Sequence, residues 1–536
     1  MWSRSDPSRY SGFPLAPNRS RATFFPAMMT LDRGANEVGA DPEGELHGTP
    51  GRARVTIGLA LAPVLFVAIL LSPTGLKPDA HRLAAILAAV IVLWVTEALP
   101  MPVTAMLGAA VAVVMRVAPA KEVFAPFADP LMFLFIGAFI LARAITLHGL
   151  DRRLAYTVLS HPLVAGSPRR ILFAFGAVTA SVSAWISNTA TTAMMFTIGL
   201  AILAFLRDAE RETGIALHPA YPTVLMLMTS FAASIGGLAT PVGTPPNVIG
   251  IGFIRSELNV AFPFFQWMMI GVPIVIVLFA VLFFFLDRAS SRGRVRLEGL
   301  GAMIGLEKQR RGGWTRGEIS TLIAFTVTVM LWVMPGVVAL MAGEASTAYR
   351  SFVTMVPEGV AAIVGASLLF LLPGSTGSRA ITWREAAQID WGIVLLYGGG
   401  FALGVLSFRT GLAEAMGRSL LALMPSTGET ALLVGATLVA AALSEVTSNT
   451  AAANMVVPVV ISVAQAAGAD PLAPALGATM GASMGFMLPV STPCNAIVYG
   501  SGKIPLIKMI RYGVVLDIAG VIVIIAFVKL LLPLVR

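Results

Sequence analysis

Two short polar stretches inside apolar surroundings carry most of the chemistry this sequence offers. Ser187-Asn188-Thr189-Ala190-Thr191-Thr192-Ala193-Met194-Met195 is matched 261 positions later by Ser448-Asn449-Thr450-Ala451-Ala452-Ala453-Asn454-Met455-Val456. Each is followed by a related turn, Pro241-Val242-Gly243-Thr244-Pro245-Pro246-Asn247 and Pro489-Val490-Ser491-Thr492-Pro493-Cys494-Asn495. Ser and Thr hydroxyls, Asn carbonyls and the backbone carbonyls freed where Pro245 and Pro246 supply no amide hydrogen are hard oxygen donors, suited to an alkali or alkaline-earth cation. Without a carboxylate cluster among them, Na⁺ is favoured over Ca²⁺. Helical arms expected to begin at Ala190 and Ala451 aim their N-termini at the same tips, and a helix N-terminus favours an anion. Neither triplet and neither turn contains Arg or Lys. A bound anion therefore has to be neutralised by the cations, which couples the two binding events.

These residues need elements that bury them. The 536 residues are 57% hydrophobic and only 12% charged, far from the soluble norm of about a quarter charged. Runs approaching the ~20 apolar residues of a membrane span recur from Val55 to the C-terminus. The fold expected is an all-α polytopic membrane protein. One cysteine, Cys494, rules out an intramolecular disulfide framework and thiolate zinc sites. Five scattered histidines offer no metalloprotease pattern, and Gly500-Ser501-Gly502-Lys503 lacks the flanking residues of a phosphate loop. No catalytic residue and no enzyme activity is signalled. The net charge of +9 resides in loops beside apolar spans and marks cytoplasmic segments rather than a nucleic-acid surface.

Taken along the chain, an Arg-rich, Pro-rich tail at 1–53 reads as disordered and cytoplasmic, and 54–81 as a first span with its loop. A first repeat at 82–286 has spans near 82–99, 103–117 and 131–147, then an apolar stretch at 171–206 split by Ser187-Asn188-Thr189. Arms shorter than a full span suit a re-entrant helical hairpin. A span at 221–238 breaks at 239–246, and another covers 267–286. The basic loop at 287–316 holds eight Arg and Lys residues, among them Arg292, Arg294 and Arg296, and is cytoplasmic by the positive-inside rule. A second repeat at 317–536 follows the same plan, with its hairpin at 431–466. Leu93-Trp94-Val95 recurs as Leu331-Trp332-Val333, and Asp129 and Asp390 share the 261-residue offset of the triplets. An odd number of crossings between matching elements makes the repeats inverted, with the shared site near the midplane. Glu445, three residues before the second tip, can tune a cation's affinity or accept hydrogen bonds from the hairpin backbone.

At these motifs the chain resembles the divalent anion:sodium symporter family, which includes sodium-coupled di- and tricarboxylate and sulfate transporters. The resemblance covers about 55–536 and rests on the paired triplets, the two T-P-x-N turns, Trp94-Val95-Thr96-Glu97-Ala98-Leu99-Pro100 and Gly149-Leu150-Asp151-Arg152-Arg153. It implies about eleven transmembrane helices plus two re-entrant hairpins, a homodimer in the cell membrane, and an elevator motion of a transport domain against a scaffold. It further implies one sodium site of Ser183, Ser187, Asn188 and Gly243, and another of Ser444, Thr447, Asn449 and Ser491. The substrate carboxylates would meet Asn188, Thr189, Thr244, Ser448, Asn449, Thr450 and Pro493. Cys494 stands where the family usually has a second Pro. The expected function is Na⁺-coupled symport of a C4-dicarboxylate such as succinate, malate or fumarate. Sulfate symport, Na⁺-independent exchange and, in another class, an anion channel are the alternatives.

Overall fold

The computed structural model of this chain describes residues 52–213, 218–290, 300–343, 345–375, 377–422 and 428–535. The tail at 1–53 lies outside them except for its last two residues, as do Arg292, Arg294 and Arg296 of the basic loop. Among the described residues the chain is helical throughout, with a single isolated β-bridge between Pro373 and Arg379. Eleven helices there are long and apolar enough to cross a bilayer. The set differs in membership from the spans read off the sequence. Met101–Val114 has only 14 residues, short of a full crossing, whereas Asn188–Asp208 and both Glu429–Val446 and Asn449–Ala466 reach it by length and composition.

Each polar triplet lies at a break between two helices: Pro168–Ser183 and Asn188–Thr213 in the first half, Glu429–Val446 and Asn449–Ala466 in the second. The second helices begin at Asn188 and Asn449, two residues earlier than expected. In the second copy the reason is local. The Ser448 hydroxyl caps the helix by accepting from the Ala451 amide at 3.2 Å, which draws Asn449 into the first turn.

The repeats are visible in the packing. Pro168–Ser183 lies against Tyr221–Gly236, and its counterpart Glu429–Val446 lies against Leu472–Gly481. The second halves then cross over. Pro245–Leu258 packs on Asn449–Ala466, and Pro493–Tyr499 packs on Asn188–Thr213. Caps repeat as well: Asp129 accepts from the Leu131 amide at 2.8 Å and Asp390 from the Ile393 amide at 3.1 Å. Trp94 and Trp332 each donate an indole N–H to a backbone carbonyl, of Met101 and Glu358 respectively.

Burial separates interior from periphery. The span Tyr221–Ala239 is 94% buried inside the protein, whereas Arg52–Leu71 is 11% buried and offers its side chains outward. Irregular backbone at membrane depth is tolerated only where protein covers it or a water-filled cavity adjoins it. The broken segment at 237–244 meets that condition, since all of its residues are buried.

The helix Leu150–Leu159 is fixed to the start of the second half by a buried ion pair. Arg153 Nε donates to Glu318 Oε1 at 2.6 Å, and its other nitrogens donate to the Gly312 and Gly313 carbonyls at 3.2 and 3.0 Å. Glu318 also closes a capping box with Thr315. Removing one partner of such a pair strands a buried charge, at a cost of about 3–5 kcal/mol, while replacing both with apolar groups is often near neutral. Glu318→Leu should therefore lower the thermal midpoint in detergent far more than the double variant Arg153→Met, Glu318→Leu. A double variant as unstable as the single one would show that the pair acts through packing instead.

Candidate functional site

The two tips and the two broken turns meet in one cleft. It holds about 610 Å³ of empty space, counting its open mouth. Ser187, Asn188, Thr189, Gly243 and Thr244 from the first half line it, with Ser448, Asn449, Thr450, Ser491 and Pro493 from the second. Ten of the thirteen residues singled out in the sequence are thus brought together. The other three stand behind the wall. Ser183 Oγ lies 2.7 Å from Asn188 Oδ1 and Ser444 Oγ lies 2.6 Å from Asn449 Oδ1, the same contact in both repeats. Thr447 is buried with no hydrogen-bond partner for its hydroxyl.

The turns are held open by their terminal asparagines. Asn247 Nδ2 donates to the carbonyls of Gly237 and Thr240 at 2.9 and 2.8 Å, and Asn495 Nδ2 donates to those of Gly485 and Leu488, both at 3.0 Å. All three pairs of positions are 248 residues apart. The Leu238 carbonyl is taken by the Trp267 indole N–H at 2.9 Å. Three carbonyls of the break, at Gly237, Leu238 and Thr240, are thus answered by side chains and not by helical amides. The Gly243 carbonyl instead faces the Asn188 side chain. A Cβ at Gly237 would come within 2.5 Å of Asn188 Oδ1, so glycine is what lets the tip approach the turn.

One end of the Asn188 amide faces three oxygens: Ser183 Oγ at 2.7 Å, Ala233 O at 3.1 Å and Gly243 O at 3.3 Å. With Nδ2 at that end, the amide donates hydrogen bonds to this group. With Oδ1 there, four oxygens converge, and such a cluster repels itself unless a cation sits among them. In the second repeat Ser444 Oγ is within hydrogen-bond distance of both Asn449 Oδ1 and the Ala482 carbonyl, at 2.6 and 2.8 Å. One hydroxyl proton cannot serve both. With the amide oxygens turned to these groups each tip gathers acceptors that suit a small hard cation, and with Nδ2 turned to them the first tip is satisfied by its own hydrogen bonds.

No charged side chain lines the cleft. Among the described residues no group of three or more His, Cys, Asp or Glu is placed to hold a metal ion. The first turns of Asn188–Thr213, Asn449–Ala466 and Pro245–Leu258 border the cleft and turn the positive ends of their dipoles toward it. Sequence reasoning missed several lining residues. Ser234, whose buried hydroxyl has no partner, comes from the regular part of the first broken span. Phe139 and Ile393 come from Pro130–His148 and Trp391–Thr410, outside the polar motifs. Of the two roles expected for Glu445, the hydrogen bond to its own hairpin's backbone is not the contact found. Its carboxylate accepts from the amides of Met487 and Leu488 at 2.8 and 3.3 Å, in the broken turn rather than in its own hairpin.

Known proteins resemble this chain in sequence and in fold. The family model described as the sodium:sulfate symporter transmembrane region matches residues 53–535. The sodium-dependent dicarboxylate transporter SdcS of Staphylococcus saprophyticus is 33% identical over 484 residues, covering 89% of this chain and 91% of its own. The protein of the same name from Staphylococcus aureus is 32% identical over 493 residues, covering 91% and 93%. Among solved structures, the YdaH transporter of Alcanivorax borkumensis superposes with a TM-score of 0.51 at 13% identity, over 90% of this chain and 98% of its own. MtrF of Neisseria gonorrhoeae gives the same score and identity over 94% and 97%. At that identity the likeness concerns fold alone.

The geometry separates a binding site from helix glue. An interhelical hydrogen bond in a membrane protein contributes ~0.6 kcal/mol on average, so Asn188→Ala and Asn449→Ala should cost little stability if they only join helices. Each should instead abolish uptake while the protein still elutes as a folded species in detergent. Near-normal uptake by both variants would remove the tips from the site.

Proposed function

The chain belongs to the sodium:sulfate symporter family, a family of membrane transporters, and on that premise we propose that it couples the entry of a C4-dicarboxylate to Na⁺. The observation that carries this reading is the pairing of two asparagine tips, each with a serine hydroxyl behind it, across a cleft with no charged side chain among its described lining residues. One Na⁺ would be held by Ser183, Ser187, Asn188 and Gly243, the other by Ser444, Thr447, Asn449 and Ser491. The dianion would lie between them, its carboxylates on Asn188, Thr189, Thr244, Ser448, Asn449, Thr450 and Pro493. Na⁺ does for the anion what an arginine would otherwise do, and only while it is bound. Linkage then requires each ligand to raise the other's affinity by the same factor.

The two SdcS relatives support a dicarboxylate over sulfate, since their names state sodium-dependent dicarboxylate transport. Two helical hairpins and two broken spans would form the moving body, as re-entrant elements entering from opposite faces of an inverted repeat. Pro130–His148 and Trp391–Thr410, which bring Phe139 and Ile393 to the cleft, would belong to a static scaffold in a homodimer. That arrangement supports elevator-type alternating access. The basic loop supports an N-terminus on the cytoplasmic side of the cell membrane.

Purified protein in proteoliposomes should take up labelled succinate when Na⁺ is outside, with a sigmoidal Na⁺ dependence, and should take up little with K⁺ in its place. Sulfate should compete weakly. Equal succinate uptake in K⁺, with no Na⁺ gradient, would refute Na⁺ coupling. Sulfate uptake exceeding succinate would reassign the substrate and keep the coupling.

A further inference from the structure

In both repeats the broken turn donates hydrogen bonds to the hairpin tip, but the acceptors differ. In the first, Thr240 Oγ1 on the turn donates to the carbonyl of Ala184, one residue past the first hairpin arm, at 2.5 Å. The positions matching Thr240 and Ala184 are Leu488 and Glu445. Leu488 has no hydroxyl, and Ser491 Oγ, three residues further on, reaches the matching carbonyl, that of Glu445, at 3.1 Å. The hairpin adds a side chain of its own: the Glu445 carboxylate accepts from the Met487 and Leu488 amides at 2.8 and 3.3 Å and from Ser491 Oγ at 2.5 Å. Glu445 is buried and does not line the cleft. Asp517 of the last helix lies against its carboxyl, and the three bonds from the turn answer an acceptor that has another carboxyl beside it.

The Ser491 contact has an electrostatic consequence. Because its O–H is committed to Glu445, the oxygen's lone pairs are left for the cleft, and donating to a carboxylate makes that oxygen a better ligand. We propose that Glu445 is a positioning residue that clamps the turn at 486–491 to the second hairpin tip and sets the Na⁺ affinity of the second site without touching the anion. The proposal rests on the Na⁺-coupled reading of the same cleft. It makes the Glu445 carboxylate and the Thr240 hydroxyl two solutions to one mechanical requirement.

The test compares wild type, Glu445→Gln, and the double variant Glu445→Ala, Leu488→Thr, which copies the first repeat's clamp. Uptake of labelled succinate is measured against external Na⁺, and the succinate KM is measured at saturating Na⁺. Outer-shell partners of metal ligands typically contribute about 10–100-fold to affinity. Glu445→Gln should raise the Na⁺ concentration for half-maximal uptake by about tenfold or more and leave the succinate KM at saturating Na⁺ nearly unchanged. The double variant should recover much of that shift, which a general loss of packing would not. An unchanged Na⁺ curve in Glu445→Gln, beside Na⁺-driven wild-type uptake, would overturn the positioning role alone. So would an equal loss of succinate affinity at every Na⁺ concentration, or failure of both variants to fold. Wild-type uptake indifferent to Na⁺ would refute the underlying reading instead.

Discussion

A backbone break inside a membrane protein leaves polar groups that nothing in the bilayer can answer, and the architecture follows from how those groups are answered here. Asn247 and Asn495 each turn an amide back onto two carbonyls of their own turn. That leaves the turns open in shape but closed in hydrogen bonding. The asparagines at the tips, Asn188 and Asn449, are then free to face the cleft, each with a serine hydroxyl behind it. Ser230 adds a bond between the halves, donating to Asn495 Oδ1 at 2.6 Å. The matching atom in the first half, Asn247 Oδ1, has no partner among the described residues, so the repeats are alike in plan and unlike in detail.

The absence of charge from the cleft wall is as consequential as the groups present. A wall that carried a guanidinium could hold an anion without help, and a wall with a carboxylate cluster could hold cations without an anion. With hydroxyls, amides and carbonyls alone, neither ligand is well solvated by itself. Nearby carboxylates are kept back: Glu445 is occupied by the turn, and Asp129 is committed to Arg255 at 2.6 Å and to the Tyr397 hydroxyl at 3.3 Å.

Much of this was legible in the sequence because the informative residues repeat at constant spacing. Ser183 and Ser444, Asn188 and Asn449, and Asp129 and Asp390 sit in matching contacts. The helix starts were misplaced by two residues, and in the second copy the reason is that the tip serine is the cap. What the sequence could not convey depends on distant chain segments. The Trp267 indole reaches a carbonyl 29 residues away, and Glu445 reaches amides more than 40 residues away. Phe139, Ser234 and Ile393 carry no distinguishing pattern and reach the cleft only through the packing of helices.

The crossed packing of the second halves bears on how such a chain can be made. Asn188–Thr213 takes Pro493–Tyr499 as a neighbour, and Pro245–Leu258 takes Asn449–Ala466. The wall of the cleft is incomplete until residues close to the C-terminal end have left the ribosome. Contacts of such long sequence separation form slowly, and the first hairpin tip has to wait in the bilayer with its polar atoms only partly answered. Each half carries the residues proposed for one cation, but the cleft between them needs both, so a truncated chain would be left with an exposed polar edge. A duplicated gene of this kind becomes indivisible once the two copies exchange walls.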